Sequence, residues 1–369
     1  MPSISVSNLT KRFGRLNAVD GVSFEVKDGE YLCVLGSTGS GKTTLLKLIS
    51  GIIQPTEGEV MFGGIRINQV PTEERDAVYV PQTYALFPHL TVLENVAYGP
   101  LSKNVPRSEA EQSAHRVLKM VRLYTRAGAY PNELSGGMQQ RVALARGLAS
   151  GSEILLLDEP LGALDISLRL ELRTELRRLA KESGFTVIHV THDQEEAFTI
   201  ADRILVLRHG KLQQHSTPYH IYNRPENIFV ANFVGNSNFL EGVIEKRNTI
   251  NSVVRLRQDH MVRVADVSFE PEEPVVVSVR ENLVTLSHLP HGDEINRYSG
   301  EIETIHFLGE WKRYTVRLAN KDCVAVRVPI SSAMDSLTEG DWVSVSFDPV
   351  HTHVYESPSQ GLKRELEVY

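Results

Sequence analysis

The chain is poor in cysteine, and its two cysteines form no recognisable motif. Cys33 and Cys323 stand far apart among 369 residues, and their spacing matches no metal-ligand pattern. Cys33 lies in the apolar run Tyr31–Leu35, which predicts a small buried side chain rather than a reactive thiol. This cysteine usage fits a reducing compartment.

Long apolar runs are also missing. No stretch approaches the roughly 18 apolar residues that a membrane-spanning helix requires. The segment Met1–Ser7 lacks the basic start and the apolar stretch of a signal peptide. We therefore expect any role at a membrane to act through partner proteins.

Excess positive charge is absent as well. The net charge is −7 and the pI is about 6.0, which argues against nucleic acid as a partner. With 41% hydrophobic and 23% charged residues, the composition is that of an ordinary folded protein, and the length suggests two or three domains.

A change in pattern divides the chain near residues 235–238. Before it, short apolar runs alternate with segments of helical period, which predicts an α/β fold. After it, short β-type runs separated by turn residues predict a small β-rich domain of sandwich or barrel type. The predicted strands are Tyr31–Leu35, Ile154–Leu157, Thr186–Val190, Val275–Val279, Tyr314–Leu318, Val324–Val328 and Val343–Phe347. The predicted helices are Thr43–Ile49, Ser108–Val121, Met138–Leu148 and Ile166–Ser183.

A glycine-rich segment between a predicted strand and a predicted helix matches the P-loop pattern G-x-x-x-x-G-K-[ST]. The predicted phosphate-binding residues are Gly36, Ser37, Thr38, Gly39, Ser40, Gly41, Lys42, Thr43 and the adjoining Thr44. Backbone N–H groups and the start of the helix suit phosphate oxygens, Lys42 adds a charge, and the Thr43 hydroxyl suits Mg²⁺. The alternative is a glycine-rich turn that happens to contain lysine.

Two carboxylates end a second predicted strand. Asp158 and Glu159 follow the apolar run Ile154–Leu157. In P-loop enzymes the first such carboxylate holds Mg²⁺, which would leave Glu159 as the base that polarises the attacking water. An apolar run that ends in Asp-Glu often arises by chance. Its occurrence together with the P-loop favours a Mg²⁺ and catalytic role for the two carboxylates.

Further motifs, in order, resemble those of ABC ATPases. The segment Leu134–Arg141 is similar to the family's signature sequence, with Met138 where glutamine is common. The resemblance makes Phe13 the adenine-stacking aromatic, Gln82 the Q-loop glutamine, Asp165 the end of the D-loop and His192 the switch histidine. It covers residues 3–235 densely.

The resemblance implies a mechanism. ATP and Mg²⁺ would bind between two copies in a head-to-tail homodimer, and the P-loop of one copy would face the Ser135, Gly136 and Gly137 loop of the other. The implied catalytic residues are Glu159, His192 and Lys42. The implied Mg²⁺ ligands are Thr43, Gln82 and Asp158. A glycine-rich loop ahead of a helix is itself an anion site, so the chain carries two phosphate cradles.

Plainer interpretations exist for individual residues. Phe13 alone would suit a core aromatic, His192 alone would suit an ordinary histidine, and Asp165 could cap the following helix. Gln82 carries no chemistry by itself. The arginines at 169, 173, 177 and 178 are predicted to form a solvated helix face rather than an anion site.

The second domain extends the resemblance to importer subunits with a C-terminal OB-like TOBE domain. Residues 1–236 would form the ATPase domain and 237–369 the TOBE domain, with Arg280-Glu281-Asn282 where the family usually has Arg-Pro-Glu. The resemblance implies a peripheral protein on the cytoplasmic face of the membrane, working with two permease subunits and, indirectly, an extracytoplasmic substrate-binding protein. A permease helix would dock near Thr83–Leu90, whose apolar members are Tyr84, Leu86, Phe87 and Leu90.

Two other functions compete with an importer ATPase. One is a soluble ABC ATPase acting on DNA or ribosomes, although such proteins typically carry two cassettes or a long coiled-coil insertion. The other is a regulatory protein without catalysis, against which Lys42, Asp158, Glu159 and His192 all speak. The transported substrate is expected to be chosen by the permease and the binding protein.

Overall fold

The computed structural model describes residues 2–247, 252–265, 268–288, 296–330 and 336–367. The chain divides into two compact units, Met1–Ile221 and Tyr222–Val368. The strands of the first unit are β1 (Ile4–Phe13), β2 (Leu16–Val26), β3 (Tyr31–Gly36), β4 (Glu57–Phe62), β5 (Ile65–Arg66), β6 (Ala77–Val80), β7 (Ile154–Asp158), β8 (Thr186–Thr191), β9 (Arg203–Arg208) and β10 (Lys211–Ser216). Its helices are α1 (Lys42–Ser50), α2 (Val92–Ser102), α3 (Arg107–Met120), α4 (Gly136–Ala149), α5 (Ile166–Ser183) and α6 (Gln194–Ile200), and α7 (Pro218–Asn223) runs across the division.

A six-stranded sheet organises the first unit. Its strand order is β10-β9-β3-β8-β7-β6, parallel except for the antiparallel pair β9 and β10. The strands β3, β7 and β8 are buried along their whole length, as expected for a parallel sheet covered on both faces. Because parallel strands end at one edge, Gly36, Asp158 and Thr191 come to the same side of the molecule, where ligands of such sheets bind.

A four-stranded antiparallel sheet of order β2-β1-β4-β5 lies beside it. The two sheets share one apolar core, to which Val6 of β1, Leu45 of α1 and Leu156 of β7 belong. This second sheet brings Phe13, at the end of β1, towards the P-loop edge, since both line the same cavity. The residue pattern of these strands does not predict this sheet.

The predicted helices and strands of the first unit are confirmed, with ends shifted by one or two residues. Helix α1 begins after Gly41 and ends before Gly51, and both glycines have left-handed backbone conformations. Side chains cap four later helices: Thr91 with Glu94 at α2, Ser135 at α4, Asp165 at α5 and Asp193 at α6.

The second unit is rich in β-structure, as predicted. Its elements are α8 (Ile228–Phe233), β11 (Ser237–Lys246), β12 (Ser252–Leu256), β13 (Met261–Val264), β14 (Pro274–Arg280), β15 (Thr285–His288), β16 (Arg297–Phe307), β17 (Trp311–Leu318), β18 (Cys323–Pro329), β19 (Trp342–Ser346), β20 (Thr352–Glu356) and α9 (Leu362–Glu365). Two antiparallel sheets, β13-β12-β11-β14-β20 and β15-β19-β16-β17-β18, enclose one apolar core containing Val277, Val316 and Val343.

The segment that joins the units packs with the second one. Arg280 donates hydrogen bonds to the carbonyls of Tyr222 (2.8 Å), Ala231 (2.6 Å) and Gly235 (2.9 Å), and its guanidinium lies over the Tyr222 ring. The two compact units divide after Ile221, which is earlier than the boundary at residue 236 that the sequence predicts for the domains. The domain boundary at residue 236 stays a prediction.

Candidate active site

The P-loop is a tight turn in which two glycines are required by space. A Cβ on Gly36 would lie 2.4 Å from Ser40 Oγ and 2.5 Å from the Leu207 carbonyl oxygen. Gly41 has φ of 101°, and a Cβ there would lie 2.3 Å from the Ala18 carbonyl oxygen. The loop thereby packs against β9 and the start of β2 and leads directly into α1.

Lys42 is held inside this turn. Its Nζ donates hydrogen bonds to the carbonyls of Gly36 (2.8 Å) and Ser37 (2.9 Å), and the residue is 6% exposed. Burial lowers the pKa of Lys42, an effect opposed by the carboxylates of Glu159 and Asp158. The result is a confined cation at the mouth of the loop, suited to phosphate oxygens.

Asp158, at the end of β7, is fixed by two hydroxyl groups. Thr43 Oγ1 donates to Oδ1 at 3.0 Å, and the Tyr79 hydroxyl donates to Oδ2 at 3.0 Å. Burial raises the pKa of Asp158, while these two hydrogen bonds act to lower it. The adjacent carboxylate and hydroxyl oxygens are the donors that Mg²⁺ prefers, and Mg²⁺ commonly uses only one or two protein carboxylates. Among the described residues, no three His, Cys, Asp or Glu side chains form a group that could hold a metal ion.

Glu159 has a left-handed backbone, with φ of 48°, which costs about 1–3 kcal/mol for a residue other than glycine. Two hydrogen bonds hold it: its N–H donates to the Val190 carbonyl, and the Gln140 side chain donates to its carbonyl, both at 2.9 Å. The carboxylate accepts from Gln82 Nε2 at 3.0 Å and lies 3.2 Å from His192 Nδ1. Three predicted site residues from separate elements therefore meet at one carboxylate.

Gln82, Glu159 and His192 line a cavity of about 590 Å³, and Asp158 is linked to it through its hydrogen bond with Thr43. Phe13, half exposed, forms part of its wall, so it is not a core aromatic. Among the other predicted site residues, Thr38, Gly39, Gly41, Lys42, Thr43 and Thr44 also line the cavity. Of the rest of the predicted P-loop, Gly36, Ser37 and Ser40 build the turn behind it. His209, which no sequence motif indicates, contributes to the wall from the β9–β10 turn.

Comparison with known proteins agrees with this geometry. The family model described as "ABC transporter" matches residues 19–162, and the model of the TOBE domain matches residues 277–355. The spermidine/putrescine import ATP-binding protein PotA of Thermobifida fusca is 39% identical over 96% of this chain and 94% of its own length. The Fe(3+) ions import ATP-binding protein FbpC of Brucella abortus is 37% identical over 94% of this chain and 95% of its own.

The chain belongs to the ABC transporter ATP-binding proteins. A dimeric bacterial ABC transporter cassette has a similar structure, with a TM-score of 0.54 and 37% identity, covering 58% of this chain and 98% of that one. A related structure of 36% identity represents a post-hydrolysis state bound to ADP and Pi. The predictions of an ABC ATPase with a TOBE domain, of importer type and binding ATP, are confirmed. Within the described residues, no helix is both long and apolar enough to span a membrane.

The signature loop of this ABC ATPase lies apart from the cavity. Ser135 and Gly136 are exposed at the start of α4, where Ser135 Oγ accepts a hydrogen bond from Met138 N–H at 3.4 Å. Neither they nor Gly137 are among the described residues that line the cavity. Asp165 is also outside it and caps α5 by accepting from Leu168 N–H at 3.0 Å.

The Q-loop contains backbone strain that its sequence does not predict. Tyr84 and Ala85 have φ of 61° and 47°, although neither is glycine. Arg146 of α4 donates to both their carbonyls and lies over the ring of Phe87. The buried Asn95 fixes the same loop by accepting from the N–H of Phe87 and donating to its carbonyl. No periodicity or motif points to Arg146 or Asn95.

The predicted solvated arginine face on α5 is wrong for three of its four members, which pair with acidic residues outside the helix. Arg173 is 3% exposed and donates to Asp193 Oδ2 at 2.6 Å. Arg169 approaches the same carboxylate, and Arg177 pairs with Asp202. Only Arg178, paired with Glu175 and Glu182, keeps the expected surface character. Arg169, Arg173 and Arg177 thus connect α5 to the segment that follows β8, because that segment contains their acidic partners Asp193 and Asp202.

Proposed function

We propose that two copies of this chain bind and hydrolyse Mg-ATP at two shared sites and thereby drive a membrane importer from its cytoplasmic face. The observation that carries the proposal is the meeting of Gln82, Glu159 and His192 beside the Thr43–Asp158 pair, in a cavity walled by Phe13. These groups are the part of a phosphoryl-transfer site that one chain supplies.

The residues divide into binding and catalytic roles. Phe13 offers a face for adenine, and the P-loop N–H groups with Lys42 receive the phosphates. Thr43 and Asp158, with the amide oxygen of Gln82, would hold Mg²⁺, which supplies charge neutralisation at the phosphate oxygens when bound. The Nε2 of Gln82 donates a hydrogen bond to Glu159. The Gln82 amide would therefore contact the proposed base through Nε2 and Mg²⁺ through its oxygen.

Glu159 is assigned as the general base. Its carboxylate lies at the cavity wall, and its backbone is held by contacts from β8 and α4, so it can accept a proton from water without reorganising. His192 contacts the same carboxylate and is assigned to the γ-phosphate end of the site. Together they would align water for attack.

Sharing of sites explains the position of the signature loop. Ser135 and Gly136 present N–H groups at an exposed helix start, yet they lie outside the cavity of their own chain. Such a loop suits the nucleotide of a second copy, and the similar solved cassette is dimeric. Asp165, at the start of α5, would line the same interface.

A permease is the proposed membrane partner. A second cavity of about 250 Å³ lies beside the Q-loop and is lined by Phe87, Tyr98 and Arg146 among others. It could receive an apolar permease segment. Of the four apolar Q-loop residues noted in the sequence, Phe87 lines this cavity. Relatives named for spermidine/putrescine and for Fe(3+) are almost equally similar, so cargo choice is assigned to the permease and the external binding protein.

The test is Glu159→Gln in the purified protein, with Glu111→Gln on the exposed face of α3 as the matched control. We expect Glu159→Gln to bind ATP normally and to lose hydrolysis by roughly 10²-fold or more, the usual scale for a general base. The variant should also accumulate as an ATP-bound dimer in size-exclusion chromatography. Near-normal turnover would remove Glu159 from the mechanism.

A further inference from the structure

His192 sits between two residues that are locked in place. On one side, Thr191 Oγ1 donates to Glu196 Oε2 at 2.7 Å and accepts from the Asp193 N–H at 3.0 Å. On the other side, Asp193 caps α6 by accepting from the Glu196 N–H at 3.0 Å. The short turn that presents His192 is therefore closed by hydrogen bonds at both ends.

This turn rests on a buried polar network. His189 Nε2 lies 3.3 Å from Glu196 Oε1, and the Tyr31 hydroxyl lies 2.9 Å from His189 Nδ1. All three residues are at most 3% exposed. Burial opposes the charge of Glu196, but His189, Thr191 and Arg173 together leave its pKa below the ordinary value. Glu196 is thus a buried carboxylate whose Oε2 accepts from Thr191 and whose Oε1 faces His189.

Two arginines of α5 donate hydrogen bonds to the Asp193 carboxylate. Arg173 NH2 donates to Asp193 Oδ2 at 2.6 Å, and Arg169 NH1 donates to the same oxygen at 3.4 Å. Arg169 also donates to the Leu164 carbonyl at 3.0 Å, next to Asp165. Burying a guanidinium is costly unless it is paired, so Arg173 and Asp193 constrain each other strongly.

We propose that Arg173 is a positioning residue for hydrolysis, which holds Asp193 and so fixes the turn that directs His192 at Glu159. The inference rests on the role proposed for His192. Loss of Arg173 leaves Asp193 with its cap on α6 and the longer contact from Arg169, but removes the short buried ion pair to its Oδ2. The 3.2 Å contact between His192 and Glu159 then loosens, while the P-loop and Phe13 remain intact.

The chain offers a matched control on the same helix. Arg177 also joins α5 to the segment after His192, but at its far end, through the Ile200 carbonyl and Asp202. We expect Arg173→Gln to lower kcat roughly tenfold to a hundredfold with little change in KM for ATP, the scale of a misplaced catalytic group. Arg177→Gln breaks a more exposed pair, so it should lower Tm less and keep kcat within about twofold. Equal kcat losses in the two variants would overturn the proposal.

A double-mutant cycle decides whether Arg173 acts through His192. In single-turnover experiments with excess enzyme, Arg173→Gln should cause no further loss once His192→Ala is present. Multiplying losses would overturn the inference. If His192→Ala alone turned over normally, the role proposed for His192 would fail instead, and Arg173 would have nothing to position. Arg173→Lys should restore part of kcat, and Thr191→Val takes its place in the cycle if Arg173→Gln does not fold.

Discussion

At the scale of single residues, the hydroxyl of Tyr79 connects the proposed metal carboxylate to the strand beside it. Tyr79 belongs to β6 and donates to Asp158 Oδ2, the oxygen not used by Thr43. Partners of this kind orient a metal ligand and maintain its charge. Burial, followed by the Asp158 charge and hydrogen bond, raises the pKa of Tyr79, so the phenol remains a donor throughout the working pH range.

We predict that Tyr79→Phe weakens Mg²⁺ activation by about tenfold, the lower end for loss of such a partner. The hydrogen bond lowers the pKa of Asp158, so its removal lets that pKa rise and makes the defect larger at pH 6 than at pH 8. Titrating Mg²⁺ at fixed ATP measures this, with Tyr124→Phe, whose ring packs on His115, as the control. An unchanged Mg²⁺ dependence at both pH values would contradict the role of Tyr79.

The sequence predicts the residues whose motifs are contiguous and misses those that act across the chain. The P-loop, Asp158, Glu159 and the signature loop are each recognisable from neighbours in sequence. Tyr79, Gln140 and Arg173 reach their partners across 19 or more positions. Tyr79 and Arg173 belong to no short motif, and Gln140 belongs to the signature segment, which does not indicate its contact with Glu159. Arginines at helical spacing also resemble a solvated face until the acidic partners after β8 are located.

At the scale of elements, uniform apolar runs are easier to predict than irregular strands. The buried strands β3, β7 and β8 and the capped helices α4 and α5 agree with the sequence because burial and caps repeat in sequence. Strands β1 and β2 pair with several register shifts, and Asn8 adopts φ of 48° within β1. Such bulges interrupt the two-residue alternation that predicts a strand, so the four-stranded sheet was missed.

At the scale of the whole molecule, the residues of the proposed active site all lie in the first unit. The segment that joins the units, from Tyr222 onwards, belongs to the second unit. Every residue that lines the larger cavity precedes residue 222. Residues of α8, including the buried Phe229, pack with the second unit, where Asn232 donates to the Leu366 carbonyl. A truncation after Gly235 would therefore leave apolar surface exposed.

We predict that a fragment ending at Ile221 binds ATP and stays monodisperse, whereas one ending at Gly235 aggregates more readily. Nucleotide binding by fluorescence titration and light scattering of both fragments would measure this. Failure of a folded Ile221 fragment to bind ATP would show that the site needs the second unit. Equal behaviour of the two fragments would argue against the role of α8.

The central claim is that each ATP is held by two chains, and mixing two inactive variants tests it most directly. Lys42→Ala removes the P-loop cation, and Ser135→Arg places a bulky cation at the exposed signature loop. Each homodimer then has two damaged sites. A mixed dimer joins the intact P-loop of one chain to the intact signature loop of the other, while its second site carries both lesions.

The measurement is the ATPase rate of the mixture, with mixed dimers verified by differently tagged chains. In the shared-site proposal, hydrolysis needs both phosphate cradles on one γ-phosphate. We therefore predict that activity returns on mixing, up to about half the wild-type rate per mixed dimer if the sites fire independently. Thermal melting controls for the lost cap at Ser135, which is expected to cost about 1 kcal/mol. Mixed dimers that form but recover no activity would contradict the shared site.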